Sequence, residues 1–597
     1  MSSLRVLGLC AGVLAMHCAG AQPQQSAHRA LESLAQDMLY TTARTYPMTA
    51  TFLGLPGHDG ELEKPSEAFR AAQVARLQQW QSRLGSIIAG FDVHTSLVDR
   101  DDATLLQARL TASLDELLVY QADRKDYSHP ANSIVRAVFV QFQHLPVVGQ
   151  EGATAAALRR AWADIAARLA GAPAYVTAAA RLVTMPCHLF GVVGARQLAG
   201  APDFLSGALS GAAREQLGEK SADYARFVKA RDAALTSIAQ VKEYIDAHAS
   251  VWPENYVMGR AAYDHMLKDE QLLPFDAADV ERIGNDELAH GWAEEAWLQD
   301  LARRRGVALG APSGGGLAPG GTALVGYYRE RIAQLRSFVT DEQVVTIPSW
   351  LGTMQIVETP AFLQPVSPGA SMNPPRLFDS STTGYYYITP PKSLAEAAAR
   401  LDMNEDFDRD RILSTAAHEA LPGHFMQLSI ARRHPDFVRR TEFSGVFAEG
   451  WAFYGEEMFV RLGLFGDDLD GRLFTARWER VRGARAIVDP KVASGEWTYD
   501  HAVEFFAAET GFTRQQAEAA VAGIATRPGY VIAYSVGRLQ IENLLADYLR
   551  RMAGKGSLLD FHDRLLSYGT TPLAIVGPEL LADLDKPASA VRAAANY

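Results

Sequence analysis

Cysteine is nearly absent from this chain. Only three of its 597 residues are cysteine, and two of them, Cys10 and Cys18, lie within the first 21 residues. The third, Cys187, has no cysteine to pair with in the rest of the chain, which excludes an internal disulfide there. A catalytic thiol needs a histidine close in space, and the sequence neighbour His188 does not place its ring usefully. We therefore expect Cys187 to be a buried, small apolar side chain.

Other signatures are missing as well. After the first 21 residues no apolar run is long enough to cross a membrane. We find no internal repeat and no glycine-rich phosphate-binding loop. The formal net charge of -12 argues against binding to nucleic acid or to an anionic membrane surface. These absences favour a globular protein with neither a membrane span nor a nucleic-acid partner.

The first 21 residues have the pattern of an export signal. Arg5 supplies the positive end, Val6–Met16 is an apolar run of eleven residues, and Ala19–Ala21 is a small-x-small cleavage site. We expect cleavage near Ala21 and a periplasmic or secreted protein. Lipidation of Cys18 is the less favoured alternative, because His17 precedes it where a small residue is expected.

The rest of the chain predicts a helical protein. Hydrophobic residues make up 48% of the full sequence, enough for a large core. Residues 22–597 are expected to form a single mainly α-helical domain, with a helical scaffold over about 27–340 and a small sheet and metal-site region over about 341–597. The long amphipathic stretches that predict scaffold helices are Ser66–Ile88, Asp102–Asp123, Ala153–Arg181 and Ser221–His248.

The pattern changes after the scaffold. Gly306–Gly321 is rich in Gly, Pro and Ala, and predicts an exposed loop that is either a lid or an insertion. Three short β-rich segments bounded by prolines then predict a small sheet. These segments are Val344–Ile347, Met354–Glu358 and Gly384–Thr389.

The next region holds the residues of a catalytic zinc site. Residues 418–424 read His-Glu-Ala-Leu-Pro-Gly-His, and Glu449 follows the second histidine by 25 residues. Two imidazoles and one carboxylate are a usual ligand set for catalytic zinc, which keeps a fourth position for water. Zinc lowers the pKa of such a water to about 7, and Glu419 would accept its proton as general base. His418, His424 and Glu449 are therefore the candidate ligands of one Zn²⁺ ion.

The six-residue spacing of the histidines excludes a straight helix. The familiar zinc helix has its histidines four residues apart on one face, whereas six residues would point the two rings about 120° apart. Pro422 removes a backbone donor and clashes with the carbonyl of His418, and Gly423 permits unusual dihedrals. We predict a helix over about 408–421, a break at Pro422-Gly423, and a second helix over about 424–433 that turns the second histidine back toward the metal.

A second segment carries the third ligand. Glu449, Ala452, Phe453 and Glu456 fall on one face of a helix. This lets Glu449 bind the metal while Glu456 orients a ligating imidazole from behind. The alternative is a pair of buried helices with capped, charged ends and no metal.

Two further segments are candidates for substrate contact. Gly384–Thr389 could be an edge strand that pairs with the backbone of a peptide, with Tyr385, Tyr386 and Tyr387 as its candidate contacts. The alternative, that these tyrosines pack on the helical body, is equally open. Farther along, the phenol of Tyr534 or Tyr530 could donate to the oxyanion formed when water attacks a peptide carbonyl. His501 is a weaker candidate for that role.

These motifs also resemble a known family. The sequence His-Glu-x-x-Pro-Gly-His, followed by Glu-Gly-Trp-Ala-x-Tyr, is similar to that of the bacterial family called domain of unknown function 885. The resemblance runs from about residue 40 to the C-terminus and implies a large, mainly helical protein related to zinc peptidases. Tyr534 falls where the family also has tyrosine. Supporting matches are Val488-Asp489, Pro528-Gly529, Gly537, Phe561-His562-Asp563, Gly569 and Pro572-Leu573.

The chain departs from the family pattern on the substrate side. The family usually has Val-Asp-x-Gly-Leu-His, and Ala493 stands at that histidine position. Its Arg-Tyr before Pro-Gly aligns with Gly523-Ile524, and its following Gln with Tyr530. The metal set is intact, so hydrolysis is expected while the preferred substrate stays open.

The resulting hypothesis is an exported zinc-dependent peptidase that cleaves short peptides in a deep cleft of a helical body. His418, His424 and Glu449 hold the metal, Glu419 is the general base, and Tyr534 steadies the oxyanion. One rival is a helical periplasmic binding protein or an inactive peptidase homologue, which Ala493 favours and Glu419 argues against. Another is a metal-dependent hydrolase of non-peptide amides or esters. Manganese and cobalt bind similar ligand sets, but His, His and carboxylate suit zinc.

Overall fold

A computed structural model describes residues 22–147, 153–309, 322–359, 370–389 and 409–586. The predicted signal peptide, most of the predicted loop at Gly306–Gly321 and residue 408 lie outside these ranges. The described part of the chain is mainly α-helical with one small sheet, as the sequence predicts.

The first half of the chain is a succession of helices. Its α-helices are Gln22–Thr45, Pro47–Leu53, Glu67–Ala89, Leu97–Asp115, Ala122–Lys125, His129–Gln143, Ala155–Ala180, His188–Leu198, Leu209–Leu217, Ala222–His248, Arg260–His265, Ala277–Arg305 and Thr322–Asp341. Short π-helical turns lie at Glu116–Tyr120, Asp203–Ala208 and Met266–Glu270, and a 3-10 turn at Ala249–Val251.

The second half adds the sheet and another helical series. Its strands are Met354–Glu358 (β1), Ala370–Asn373 (β2) and Gly384–Ile388 (β3). Its α-helices are Arg409–Glu419, His424–Ala431, Phe437–Arg440, Gly445–Leu462, Leu469–Ser494, Tyr499–Thr510, Arg514–Ala525, Ala533–Arg551, Leu558–Ser567 and Leu573–Ala582.

Local sequence sets where the long scaffold helices begin. Ser66, Ser96, Thr154 and Ser221 each stand just before a helix and accept a hydrogen bond from a backbone N–H three residues on. Such caps satisfy N–H groups that the first turn leaves without a partner. Three of the four predicted stretches match their helices within two residues at each end. The fourth, Asp102–Asp123, starts earlier, at Leu97, and gives way to a π-helical turn after Asp115.

The sheet has the order β1-β3-β2, with β1 parallel and β2 antiparallel to β3. The prediction that Gly384–Thr389 is an edge strand is therefore wrong, because β3 is paired on both sides. Its tyrosines are held by the protein. Tyr386 and Tyr387 are buried, and the Tyr385 hydroxyl donates to the Gln143 carbonyl at 2.8 Å. These contacts support the packing alternative and remove the substrate-pairing role proposed for this strand.

Val344–Ile347 is not a strand. Its backbone partners are helix side chains instead: His562 Nδ1 donates to the Val344 carbonyl at 2.7 Å, and the Thr346 N–H donates to Asp563 at 2.8 Å. The two valines are buried in the same apolar cluster as Phe561. The β-branched residues of this segment reflect burial rather than strand pairing.

Two helix pairs form the frame around the metal-site motifs. Ala277–Arg305 packs along Leu469–Ser494, and Gly445–Leu462 packs along Ala533–Arg551. Cys187 is buried and free, as expected. Within the described ranges, no helix has the length and apolar character needed to cross a bilayer.

Candidate metal site

The predicted break between the two histidines is present. The first helix ends at Glu419 and the second begins at His424, with a cis peptide bond between Leu421 and Pro422. The helices end two residues earlier than predicted, at Glu419 and Ala431. His418 therefore lies in the last turn of one helix, and His424 is the first residue of the next.

Gly423 is required by close backbone contact. A Cβ atom at this position would lie 1.8 Å from the carbonyl oxygen of His418 and 2.5 Å from that of Ala417. The indole N–H of Trp451 donates to the Pro422 carbonyl at 2.9 Å. The Trp of the second motif thus fixes the turn of the first.

Glycine also allows the helix that carries Glu449 to pack closely against its neighbour. A Cβ atom on Gly450 would lie 2.4 Å from the Gly537 Cα, and one on Gly537 would lie 2.0 Å from the Val446 carbonyl oxygen. The helices Gly445–Leu462 and Ala533–Arg551 can approach this closely only because neither has a side chain at the crossing. The crossing brings Glu449 next to Tyr530, which lies three residues before the second helix.

The three candidate ligands converge on one point. Glu449 Oε2 lies 3.4 Å from His418 Nε2 and 3.3 Å from His424 Nε2. The ligand atoms of all three residues lie within 4.8 Å of one another. In a tetrahedral zinc site with bonds of about 2.0–2.1 Å, ligand atoms stand about 3.3–3.4 Å apart. The donor set and its spacing fit a zinc ion.

Hydrogen bonding within the site is incomplete where a metal would bind. Glu449 Oε2 is buried and has no hydrogen-bond partner in the described part of the chain, although both imidazoles face it. Its other oxygen, Oε1, accepts a hydrogen bond from the Tyr530 hydroxyl at 2.8 Å. A buried carboxylate oxygen without a hydrogen bond is costly, and a cation at this point would remove that cost.

The first histidine is held from behind by a charged chain. His418 Nδ1 lies 2.6 Å from Glu456 Oε1, and Arg482 donates to both oxygens of Glu456 at 2.9 Å and 2.6 Å. Because an ionised carboxylate only accepts, Nδ1 carries the proton and Nε2 faces Glu449. Such an arrangement is the one that orients a histidine for metal binding.

The pKa values in the site reflect its crowded charges. Burial alone would raise the pKa of Glu449, but the imidazoles of His424 and His418 hold it well below its usual value. Burial opposes protonation of His418, yet its close contacts with the carboxylates of Glu449 and Glu456 raise its pKa to about 10. Glu449 is thus kept ionised, as a metal ligand must be, and a metal bound at His418 would displace the second proton of its imidazole.

Glu419 differs from the other carboxylates. Its side chain is partly exposed, and burial raises its pKa, with the charges of His418 and His424 opposing that rise. A carboxyl group with a raised pKa beside a metal-type ligand set is suited to accept and return a proton.

Tyr530 and Tyr534 both reach the site. The Tyr534 ring is nearly parallel to that of His418, with 6.1 Å between ring centroids and 23° between planes. The turn that precedes them is held by Asp489, which accepts the Gly529 N–H at 2.8 Å. The Tyr530 hydroxyl is engaged with Glu449, whereas Tyr534 presents its ring to the histidine.

Other residues of the predicted motifs make contacts that support the fold. The buried ring of His562 connects the Tyr454 hydroxyl, at 3.0 Å, to the Val344 carbonyl. Ala493 is buried, and its carbonyl accepts the N–H groups of Met258 and Gly259 at 3.0 Å each. His501 is exposed, with its ring against Trp497 at 4.7 Å.

The sequence reasoning missed the arginines of the Leu469–Ser494 helix. Arg482 and Arg485 stand three residues apart in a stretch otherwise rich in buried residues. Two arginines on one face of a buried helix indicate charged partners or a ligand nearby. This signal was present in the sequence and identifies the helix that supports Glu456.

Fold and site together define a mainly helical protein with two histidines and a glutamate gathered around one point. The chain belongs to the bacterial family of unknown function DUF885, whose profile matches residues 47–580. This confirms the family indicated by the motifs.

Two solved structures share the fold. One is "a putative lipoprotein of unknown function" from Shewanella oneidensis, with a TM-score of 0.71 and 20% identity over 92% of this chain and 99% of that one. The other is "the putative lipoprotein" from Colwellia psychrerythraea, with a TM-score of 0.72 and 18% identity over 94% and 99%. At such identities the likeness establishes the fold alone. Among curated proteins none matches the chain.

Proposed function

We propose that this protein is an exported, zinc-dependent peptidase that hydrolyses short peptides. The observation that carries the proposal is the convergence of His418 Nε2, His424 Nε2 and Glu449 Oε2 at 3.3–3.4 Å, with Glu419 beside them. A purely structural site would have no use for such a partly exposed carboxyl group.

The chain's own residues divide the work. His418, His424 and Glu449 would hold the zinc, which when bound supplies a Lewis acid and an acidified water. Glu419 would take a proton from the attacking water and give it to the leaving amine. Tyr534 would donate to the oxyanion. Glu456 and Arg482 hold His418 in place, and Tyr530 holds Glu449.

The decisive test is Glu419→Gln, which keeps shape and hydrogen bonding but removes the base. We expect normal zinc content and folding, with turnover lower by at least about a hundredfold. The measurement is zinc stoichiometry beside digestion of a broad peptide library read by mass spectrometry, with and without a chelator. Equal hydrolysis by both proteins would remove Glu419 from the mechanism.

The ligand assignment has its own test. His418→Ala, His424→Ala and Glu449→Ala should each lose most bound zinc in elemental analysis, because each removes one of three ligands. His501→Ala is the matched control and should keep full zinc, since its exposed ring packs on Trp497. Full zinc in the His424 variant would refute the six-residue spacing.

The rival function is a binding protein. Ala493, at the position of the family histidine, is buried and packed, so this chain lacks one polar group on the substrate side. Hydrolysis of no peptide in the library by the zinc-loaded wild type, with retention of some, would favour the binding protein. Cleavage of amide or ester substrates alone would favour the non-peptide hydrolase.

Export is part of the same proposal. The sequence of the first 21 residues supports it, and two proteins of this fold are described as lipoproteins. The intact mass of the periplasmic protein should correspond to a chain that begins at Gln22. A mass that retains Met1 would refute export, and a lipid on Cys18 would show that anchoring replaces release.

A further inference from the structure

Arg485 is a cation without a counter-charge beside the candidate metal site. It is half-buried on the Leu469–Ser494 helix, and among the described residues no carboxylate oxygen lies within 4.0 Å of its guanidinium. Its neighbours on the same helix differ. Arg482 is bidentate to Glu456, and Arg480 pairs with Glu295.

The partners of Arg485 are aromatic rings. Its guanidinium carbon lies 5.7 Å from the ring centroid of Tyr534 and 5.6 Å from that of Trp478. Such contacts stabilise a cation only weakly and leave the N–H groups of the guanidinium available. Burial lowers the pKa of Arg485, while the charge of Glu449 counts among those that raise it, which places this cation in the electrostatic reach of the site.

Arg485 lies close to the candidate ligands, on the far side of the Tyr534 ring contacts. Tyr534 separates Arg485, at 5.7 Å, from the His418 ring, at 6.1 Å, so the guanidinium carbon is at most about 12 Å from that ring. A carboxylate bound to a guanidinium fork takes up about 4 Å of this distance, and consecutive Cα atoms are about 3.8 Å apart. The remainder, at most about 8 Å, has room for no more than about two residues of extended peptide.

We propose that Arg485 binds the C-terminal carboxylate of short peptides, so that the protein releases one or two residues from that end. The release depends on the proposed peptidase function, whereas carboxylate binding does not. A partly desolvated charge without a partner lowers stability, and a peptide carboxylate would supply the missing partner in the bidentate geometry that Arg favours. Hydrolysis would break the C–N bond, with the water's hydroxyl going to the carbonyl carbon and its proton to the leaving amine.

The experiment compares two otherwise identical peptide libraries. One holds N-acetylated tetrapeptides with free C-terminal carboxylates, and the other holds the same sequences as carboxamides. Retention by the full-length Glu419→Gln protein is measured by affinity selection and mass spectrometry, so that no turnover interferes. Because a carboxylate can also bind zinc directly, each measurement is repeated after chelator treatment.

Three variants identify the residue responsible. Arg485→Met keeps an apolar stem against the rings, and Arg485→Lys keeps the charge without the fork. Arg527→Gln is the matched control, because Arg527 lies over Tyr530 at 4.7 Å, is exposed, and also has no carboxylate within 4.0 Å in the described part of the chain.

We expect the Arg485-containing protein to retain acids over amides by about 30-fold or more, the lower end of what truncating a buried charge pair costs. Arg485→Met should abolish this preference, Arg485→Lys should reduce it, and Arg527→Gln should leave it. Arg485→Met should also be no less thermostable than its parent, as expected when an unpaired charge is removed.

Several results would overturn the proposal. The parent protein could retain the acid and amide libraries equally, or retain neither. The Arg527→Gln variant could lose the preference for acids. The Arg485→Met variant could lose both libraries equally, which would mean that Arg485 only positions Tyr534. Acid preference in binding without hydrolysis by the zinc-loaded wild type would sustain the Arg485 subsite while refuting the peptidase.

Discussion

The two oxygens of Glu449 face different partners, and this separates the roles of two tyrosines. Oε2 faces the imidazoles, and Oε1 accepts the Tyr530 hydroxyl at 2.8 Å. Tyr530→Phe removes only that hydroxyl. We expect zinc affinity to fall about 10- to 100-fold, as for other groups that orient a ligand, measured by competition with a chromogenic chelator. Unchanged affinity would show that Tyr530 does not orient Glu449.

Tyr534→Phe should behave in the opposite way. The Tyr534 ring lies parallel to that of His418, and in the described part of the chain its hydroxyl makes no hydrogen bond to Glu449, so the proposed function assigns that hydroxyl to the oxyanion. Zinc affinity should be unchanged, while kcat should fall about 10²- to 10³-fold, as when one oxyanion donor is lost. A change in affinity without a change in kcat would exchange the roles of the two tyrosines.

His562 makes stability depend on pH. Burial lowers its pKa to about 4, against an ordinary value of 6.5, so the folded protein keeps it neutral. As pH falls below about 6.5 the unfolded chain takes up a proton that the folded protein does not accept until about pH 4. The contribution of His562 to the free energy of unfolding is therefore fully present at pH 7. It falls by about 3 kcal/mol as the pH decreases from about 6.5 to about 4.

His562→Gln tests this dependence. The variant should be less stable at pH 7, because the bonds to Tyr454 and Val344 are disturbed. The gap in urea midpoint between wild type and variant should narrow as pH falls from 7 to 4, since only the wild type loses the histidine contribution. A gap that stays constant would show that His562 titrates normally.

At the residue scale, the sequence predicts which residues have site chemistry better than it predicts which residues contact one another. The sequence points to His418, His424, Glu449 and Glu419 through residue type and spacing, and the structure brings the three candidate ligands together. The hydrogen bonds from Tyr530 to Glu449 and from Trp451 to the Pro422 carbonyl join residues 81 and 29 positions apart. Such pairs depend on how helices cross, which no local pattern encodes.

At the scale of elements, Gly450 and Gly455 of the Gly445–Leu462 helix provide a test position and its control. Gly450 faces Gly537 at the crossing, whereas a Cβ atom on Gly455 would meet nothing within 4 Å. Gly450→Ala should destabilise the protein by about 1–3 kcal/mol and weaken zinc binding, because the helix that carries Glu449 must shift. The measurements are the urea midpoint and zinc affinity.

Gly455→Ala is the control for that prediction. It adds the same methyl group to the same helix without a clash, and alanine favours helix over glycine by about 1 kcal/mol. The control should be neutral or more stable, with unchanged zinc affinity. Equal effects from both substitutions would show that the crossing does not position Glu449.

The elements that the sequence predicts best are those with their own signals. Serine and threonine caps locate the scaffold helices, and Pro422-Gly423 locates the break between the histidines. Strand prediction is weaker, because β-branched residues also fill buried turns, as at Val344–Ile347. The central position of Gly384–Ile388 depends on pairing with β2, whose sequence Ala-Ser-Met-Asn has little strand preference.

At the scale of the whole molecule, one buried arginine connects distant parts of the chain. Arg439 is bidentate to Glu579 at 2.7 Å and contacts Asp102 at 2.9 Å. It therefore joins the Leu97–Asp115 helix to the Leu573–Ala582 helix. Burial raises the pKa of Asp102 to about 8, so Glu579 is the main counter-charge. The helical class of the molecule can be predicted from its composition and periodicity. The contacts of Arg439 with Asp102 and Glu579 cannot, because they join residues far apart in sequence.

Arg439→Met should cost about 3–5 kcal/mol, because it leaves the buried Glu579 carboxylate without a partner. The control is Arg514→Met, an exposed residue paired with Glu518, for which at most about 1 kcal/mol is expected. Thermal unfolding followed by circular dichroism compares them. Similar midpoints for the two variants would show that Arg439 contributes no more to stability than a surface arginine.

The break at Pro422-Gly423 also bears on how such proteins are found. Because a turn rather than one helical face brings His418 and His424 together, their separation in sequence is six residues instead of four. A motif search that demands two histidines four positions apart passes over every chain built in this way. A search written around the turn, with proline and glycine before the second histidine and a distant glutamate, would recover them from genome data.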